Sequence, residues 1–140
     1  MARHVYLCPM RWSDMDAYSH VNNVQYLRYL EDARVDMLIT QVGAAGESFL
    51  KSGVVVASHQ INYRAPLVFR PEPVPIESWV SKVSVASFTL GYEIKDDDQV
   101  YATASTVLAA FDLERQRPRR LTSDERAFLE KYAEEVYTGP

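Results

Sequence analysis

The chain contains only one cysteine, Cys8, among its 140 residues. A single cysteine excludes an internal disulfide. The three histidines are scattered along the chain, and no group of Cys and His residues has the spacing of a zinc site. The lone thiol also fits a reducing compartment.

Long apolar runs are missing as well. The longest, such as residues 107–111, is far shorter than the roughly 20 apolar residues that a membrane-spanning helix needs. The first residues contain neither the apolar segment nor the cleavage site of a secretory signal. We therefore expect a cytoplasmic protein with no membrane partner.

An excess of basic residues is also lacking. The chain carries 15 Lys and Arg against 19 Asp and Glu, a formal net charge of −4. This balance argues against nucleic acid as a partner. The length predicts one domain, residues 1–140, which is long enough to bury roughly two-thirds of the surface that the unfolded chain exposes.

One segment has the periodicity of a long amphipathic helix, from Val24 to about Thr40. Asn22 is suited to cap its first turn, with Gln25 completing a capping box, and Gly43 and Gly46 are stop signals. The residues at spacings of three and four, mostly apolar, are Tyr26, Leu27, Leu30, Ala33, Arg34, Met37, Leu38 and Gln41.

Most of the remaining chain has the pattern of strands. They are predicted at residues 4–12, 54–64, 76–86, 88–95 and 100–112. The acidic turn 96–98 makes the last two a hairpin. Thr122 is expected to cap a second helix, 123 to about 136, with Glu125 at its third position. Strands gathered after one long helix predict an α+β fold, with an antiparallel sheet wrapped around that helix.

Two carboxylates and a histidine, Asp14, Asp16 and His20, stand just before the long helix. Backbone N–H groups at a helix start point outward and carry partial positive charge. They can hold the oxygen of an acyl carbonyl while a nearby carboxylate acts on water or on the carbonyl carbon. The arrangement therefore indicates acyl-transfer chemistry.

Residues 11–34 contain the run R-W-x-D-x-D-x-x-x-H-V-N-N-x-x-Y-x-x-Y-x-E-x-A-R. Further along are I-x-Y-R-x-P-L at 61–67, S-F-T at 87–89 and D-L-E at 112–114. Together these segments resemble the acyl-CoA thioesterases of the hotdog fold, in the 4-hydroxybenzoyl-CoA thioesterase-like group. Ser19 departs from the pattern, because the family often has glycine there. Since serine tolerates positive φ less well, we expect a slightly different loop path.

The resemblance implies an antiparallel sheet around a long helix, a homodimer with one continuous sheet, and often a dimer of dimers. It implies an active site at the dimer interface, with the acyl group in a tunnel and coenzyme A reaching the surface. No metal or redox cofactor is implied. The catalytic carboxylate of the family falls on Asp16, and the backbone amide that polarises the thioester carbonyl falls at about Asn23.

Each candidate has a structural alternative. Asp16 is expected to act as general base or nucleophile, or otherwise to accept hydrogen bonds within its loop. Asp14 is expected to organise the loop. His20 would bond the substrate carbonyl or hold the loop. Asn22 and Asn23 would cap the helix or contact the thioester.

Substrate-binding candidates lie further along the chain. Tyr26, with Tyr29 and Leu30, would line the acyl site or belong to the core. Ser87 and Thr89 would contact the thioester or the pantetheine arm, and His59 is expected to be structural. Residues 115–120 form either a solvated turn or a clamp for coenzyme A phosphates or an acyl carrier protein. The loop contains Arg115, Arg117, Arg119 and Arg120, of which Arg117 and Arg119 are the site candidates, and Arg64 is a second candidate for the same role.

The sequence therefore predicts hydrolysis of an acyl-CoA thioester to free acid and coenzyme A. Two alternatives stay open at this point. One is a non-hydrolytic protein that binds acyl-CoA or an acyl carrier protein. The other is a hotdog dehydratase or hydratase, which would need a histidine and an acid on opposite sides of the dimer interface.

Overall fold

An antiparallel sheet and one long helix dominate the structure, a computed structural model that describes residues 3–39, residue 49 and residues 53–134. The helices are α1, Asn23–Leu38, and α2, Ser123–Lys131. The strands are β1 His4–Cys8, β2 Val54–Tyr63, β3 Val74–Val83, β4 Ser87–Lys95, β5 Val100–Asp112 and β6 Arg117–Pro118. The strand order in the sheet is β1-β3-β4-β5-β2, and β6 pairs with the end of β5.

Alternating side chains of the central strands build the core. In β4, every second residue from Phe88 to Ile94 is fully buried, and β3 and β5 bury matching positions on the same face. The apolar stripe of α1 belongs to the same cluster, so the helix lies against this face. The α+β prediction is confirmed, as is the sheet around a helix that the hotdog resemblance implies.

The ends of several strands differ from the prediction. β1 stops at Cys8 and not at residue 12, because Pro9 cannot donate to the sheet and Trp12–Asp14 forms a 3₁₀ turn. β3 starts two residues earlier than predicted and includes Pro75. Pro75 is tolerated because β3 has only one partner strand at this position. It lies opposite Leu7 of β1, and the pairing of β3 with β4 begins at the next residue. β3 also ends three residues early, at Val83.

The cap of α1 is confirmed only in part. The Asn22 side chain accepts the Val24 N–H at 3.1 Å, as predicted. Gln25 forms no capping box, because the Asn22 N–H donates instead to the Asp14 carbonyl at 2.9 Å. Leu27 lies outside the buried stripe. The positions of Gln41, Gly43 and Gly46 fall outside the described residues.

The second helix has both bonds of its predicted capping box, between Thr122 and Glu125. It ends at Lys131, several residues earlier than predicted. No helix in the described part of the chain has the length and apolar character needed to cross a membrane.

Candidate active site

The loop before α1 is anchored by Asp14, a buried carboxylate. Its Oδ2 accepts the Tyr29 hydroxyl at 2.6 Å and the Arg11 N–H at 3.1 Å. Its carbonyl accepts the Asn22 N–H. Burial and the bond to Asp14 raise the pKa of Tyr29, which keeps the phenol protonated as the donor. Asp14 is therefore a structural acceptor that fixes the loop against the side of α1.

Asp16, two residues further on, is half-buried and holds the next turn of the loop. Its Oδ1 accepts the N–H groups of Tyr18 at 2.9 Å and His20 at 3.3 Å. Its own N–H donates to the His20 carbonyl at 2.8 Å. In the described structure no hydrogen bond reaches Oδ2. The loop thus fixes one carboxylate oxygen and leaves the other available.

Ser19 has a left-handed backbone, with φ of 62°. Its N–H donates to the Asp16 carbonyl at 3.0 Å, which closes the turn that carries the carboxylate. Serine adopts the conformation for which glycine is better suited, so the turn forms here at some conformational cost.

The start of α1 leaves one backbone donor unused. The Asn22 N–H is bonded to Asp14, the Val24 N–H to the Asn22 side chain, and the Gln25 N–H to the Asn22 carbonyl at 2.8 Å. Over the described residues, no acceptor is bonded to the Asn23 N–H. This amide therefore lies at the positive end of the helix with its bonding capacity free.

Asp16 and Asn23 line the same cleft, which has a volume of about 390 Å³. The Tyr26 and Tyr63 rings meet edge to face at 5.0 Å, and the Tyr63 hydroxyl donates to the Asn23 carbonyl at 3.4 Å. The residues lining the cleft are Asp16, His20, Val21, Asn23, Tyr26, Tyr63, Arg64, Ala65 and Pro66.

Arg64 supplies a cation to the wall of this cleft. Its backbone N–H is bonded to the Tyr101 carbonyl at 2.9 Å, which fixes the chain where it leaves β2. The side chain is exposed, and no ion pair or hydrogen bond of its guanidinium occurs within the described residues. Arg64 can therefore meet an anionic ligand without breaking an internal contact.

A second cleft, of about 460 Å³, also has Asp16 in its lining and has no basic residue there. It is formed by the loop before α1 and the connection between β2 and β3. The residues lining it are Trp12, Ser13, Met15, Asp16, Ser19, Val68 and Phe69. Sequence analysis singled out only Asp16 as a site residue here.

Five predicted substrate-binding residues do not line the Asp16 cleft. Asn22 adjoins it in sequence, but its side-chain oxygen caps α1. Ser87 and Thr89 flank the buried Phe88 on β4 and so lie on the sheet face opposite the core.

The other two are arginines of the basic loop. Arg117 is exposed on β6. The Arg119 guanidinium is engaged with Glu125 at 2.8 and 2.9 Å and with the Gly53 carbonyl at 2.8 Å. Arg119 therefore has a structural partner, and we leave it out of the proposed site.

Other nucleophiles and bases are placed elsewhere. Burial raises the pKa of Cys8 to about 12, so its thiol is a poor nucleophile. His4 is buried against Asp36 at 2.8 Å, and the His59 Nδ1 lies 2.9 Å from the Thr106 hydroxyl. Of the three histidines, His20 lines the cleft. Within the described residues, no group of three His, Cys, Asp or Glu is placed to hold a metal ion.

Comparisons with known proteins identify the family of this chain. Residues 10–129 match the family model described as the thioesterase-like superfamily. The chain is 32% identical over 124 residues to the long-chain acyl-CoA thioesterase FadM of Escherichia coli strain K12, covering 87% of this chain and 93% of FadM.

Solved structures show the same fold. A predicted thioesterase from Bacillus stearothermophilus superposes with a TM-score of 0.83 at 19% identity, covering 96% of this chain and 99% of that one. A thioesterase from Thermus thermophilus, solved with coenzyme A and zinc, gives a TM-score of 0.77 at 20% identity, covering 91% and 92%. At these identities the likeness concerns the fold.

Proposed function

Because this chain belongs to the thioesterase-like superfamily and is an acyl-CoA thioesterase, we propose that hydrolysis takes place in the cleft shared by Asp16 and Asn23. One observation supports this above all. Asp16 and Asn23 line the same cleft, and among the described residues neither the Asp16 Oδ2 nor the Asn23 N–H has a bonding partner. These are the two groups that attack on a thioester carbonyl requires.

The Asn23 N–H donates to the carbonyl oxygen and stabilises the negative charge that develops there. In a general-base route, Asp16 takes a proton from water, and the water oxygen bonds to the carbonyl carbon. The C–S bond then breaks, and the departing thiolate of coenzyme A takes up the proton. In a nucleophilic route, Asp16 Oδ2 bonds to that carbon and the thiolate of coenzyme A leaves. Water then hydrolyses the mixed anhydride. Both routes give free acid and coenzyme A.

The polar walls of the cleft receive the coenzyme A side of the substrate. Arg64 contributes positive charge for phosphates, and His20 borders the thioester. The name of the E. coli relative makes long-chain acyl-CoAs the first substrates to test. An acyl carrier protein could present the same thioester, and its acidic surface would meet the same cation.

The exposed edge of the sheet favours a homodimer. In the described structure β2 pairs only with β5, and its Val55, Val56 and Tyr63 are exposed. A free strand with apolar side chains tends to pair with another chain. We propose that two copies join through β2 and that such dimers pair again. Tyr63 and Arg64 leave this edge, so the cleft would adjoin the partner.

We also propose that residues 1–140 form a single domain, that the protein is cytoplasmic, and that it uses neither a nucleic-acid partner nor a metal or redox cofactor.

Asp16→Asn should remove most turnover, because the amide can still accept the loop N–H groups but cannot take a proton or attack. We expect kcat/KM for a long-chain acyl-CoA to fall by about 10²–10⁴-fold, measured by trapping the released thiol. Asp98→Asn, in an exposed turn, is the matched control and should behave as wild type. Near-normal turnover by Asp16→Asn would refute the assignment. If the wild-type protein bound acyl-CoA but released no thiol, the result would indicate a non-hydrolytic binding protein.

Asn23→Pro tests the oxyanion donor directly. Proline is favoured at the first residue of a helix, and Asn22 already has an extended backbone with ψ of 139°, so α1 should persist. The substitution removes only the N–H that Asn23→Ala keeps. We expect kcat to fall about 10²–10³-fold further in the proline variant than in the alanine variant. Equal rates in two variants with the same helical circular dichroism would exclude this donor.

Arg64→Ala should raise KM for acyl-CoA about fivefold, an effect that shrinks at high salt. It should leave KM unchanged for the matching acyl-pantetheine thioester, which carries no phosphates. Lys82→Ala removes an exposed cation of β3 that lies outside the cleft and serves as the control. The same change in KM for both thioesters would assign Arg64 a role other than phosphate binding.

Sedimentation velocity should find a dimer or larger assembly at micromolar concentration. Val56→Lys places a charge on the proposed interface strand and should shift the protein toward monomer. Val5→Lys makes the same change on β1, the opposite sheet edge, and should not. A monomeric wild type, or equal effects of the two substitutions, would contradict the β2 interface.

A further inference from the structure

The helix α1 carries one of the two reacting groups and also the anchor of the loop that carries the other. Asn23 is its first residue, and Tyr29 lies on the same helix about 9 Å further along, at 1.5 Å per residue. The Tyr29 hydroxyl donates to Asp14, which precedes Asp16 by two residues. One rigid element therefore fixes the Asn23 N–H relative to the point at which the loop is attached.

Two short paths lead from this attachment to the reacting groups. In the first, the Asp14 carbonyl accepts the Asn22 N–H at 2.9 Å, and the next amide along the chain is that of Asn23. In the second, Met15 alone separates Asp14 from Asp16. A shift of Asp14 would therefore displace both the Asp16 carboxylate and the start of the helix.

The bond between Tyr29 and Asp14 lies in the interior, since 3% of Tyr29 and 6% of Asp14 are exposed. A buried carboxylate is costly unless donors replace the lost water. Among the described residues, the Arg11 N–H is the one other donor to the Asp14 Oδ2. Burial and the bond to Asp14 raise the pKa of Tyr29, so the phenol stays a donor at neutral pH.

The Asp14 carboxylate has room to move if this donor is lost. A cavity of about 110 Å³ adjoins the pair, and Asp14, Tyr29, Arg11 and Arg28 are among the residues that line it. Without the phenol, Asp14 can turn toward solvent in this cavity and carry the loop with it. A displacement of about 1 Å at a reacting group can lower a rate by about 10²-fold.

We propose, on the basis of the function proposed above, that Tyr29 is a positioning residue for thioester hydrolysis. Its hydroxyl, acting through Asp14, holds the Asp16 carboxylate in place opposite the Asn23 N–H. Tyr29 does not line the Asp16 cleft, so it acts on the reaction without touching the substrate. The ring belongs to the core, and the hydroxyl has this second role.

Tyr29→Phe keeps the ring and removes only the hydroxyl. We expect kcat for a long-chain acyl-CoA to fall about 10–100-fold, because the two reacting groups lose their alignment. KM should stay within about twofold of wild type, because no contact with the substrate is lost.

Tyr92→Phe is the matched control. Tyr92 is fully buried on β4, and its hydroxyl donates to Thr106 at 2.9 Å, away from the Asp16 loop. Both phenylalanine variants lose a buried hydrogen bond, so both should have a lower Tm. Only Tyr29→Phe should have a lower kcat at a temperature where both are folded.

Two variants of Asp14 separate positioning from a direct role of its charge. In Asp14→Asn the side-chain oxygen can still accept both the Tyr29 hydroxyl and the Arg11 N–H, so kcat should stay within about fivefold of wild type. Asp14→Ala removes the acceptor, and kcat should fall about as far as in Tyr29→Phe.

Wild-type kcat in a folded Tyr29→Phe would overturn the proposal. An equal loss of kcat in Tyr92→Phe would also overturn it and indicate a general effect of destabilisation. If Tyr29→Phe did not fold, the Asp14 variants would decide, because equal kcat in Asp14→Asn and Asp14→Ala contradicts a role of the hydrogen bond. Failure of the proposed function looks different: Asp16→Asn would then keep near-normal turnover.

Discussion

The buried carboxylate of Asp14 is the interaction on which the site depends. Removing a carboxylate from water is costly unless donors replace the lost solvent, and here Tyr29 of α1 and the Arg11 amide do so. This pairing fixes the loop against the helix. The Asp14 carbonyl then takes the Asn22 N–H, which leaves Asn23 as the free amide. The position of Asp16 relative to the helix start follows from these contacts.

Local signals predicted the architecture well. Periodicity gave the α1 stripe and the bounds of β5, and side-chain chemistry gave the Asn22 and Thr122 caps. Such features depend on neighbours within a few residues. The failures involve partners far along the chain or competition for one donor. The Gln25 side chain does not accept the Asn22 N–H as predicted, because that N–H donates to the Asp14 carbonyl. Pro75 is part of β3 because the strand is paired only with β1 at this position.

The site was predictable to the extent that it is contiguous. Asp16, His20 and Asn23 are close in sequence, and Arg64 was predicted from its charge as a second candidate for phosphate binding. The run of arginines was misleading, because composition cannot reveal that Arg119 pairs with a buried glutamate. Trp12 and Val68 line the second cleft, and the sequence could not bring them together, because the Val21–Leu67 backbone bond joins two distant segments.

Ser19 has a consequence for how the carboxylate acts. A left-handed serine costs on the order of 1–2 kcal/mol relative to ordinary backbone conformations. It also gives the unfolded loop fewer alternative conformations than glycine would. The folded loop therefore carries a small strain, while folding costs it less conformational entropy than it would with glycine at this position. In the reaction that we propose, Asp16 is held by its loop bonds before charge develops on the substrate.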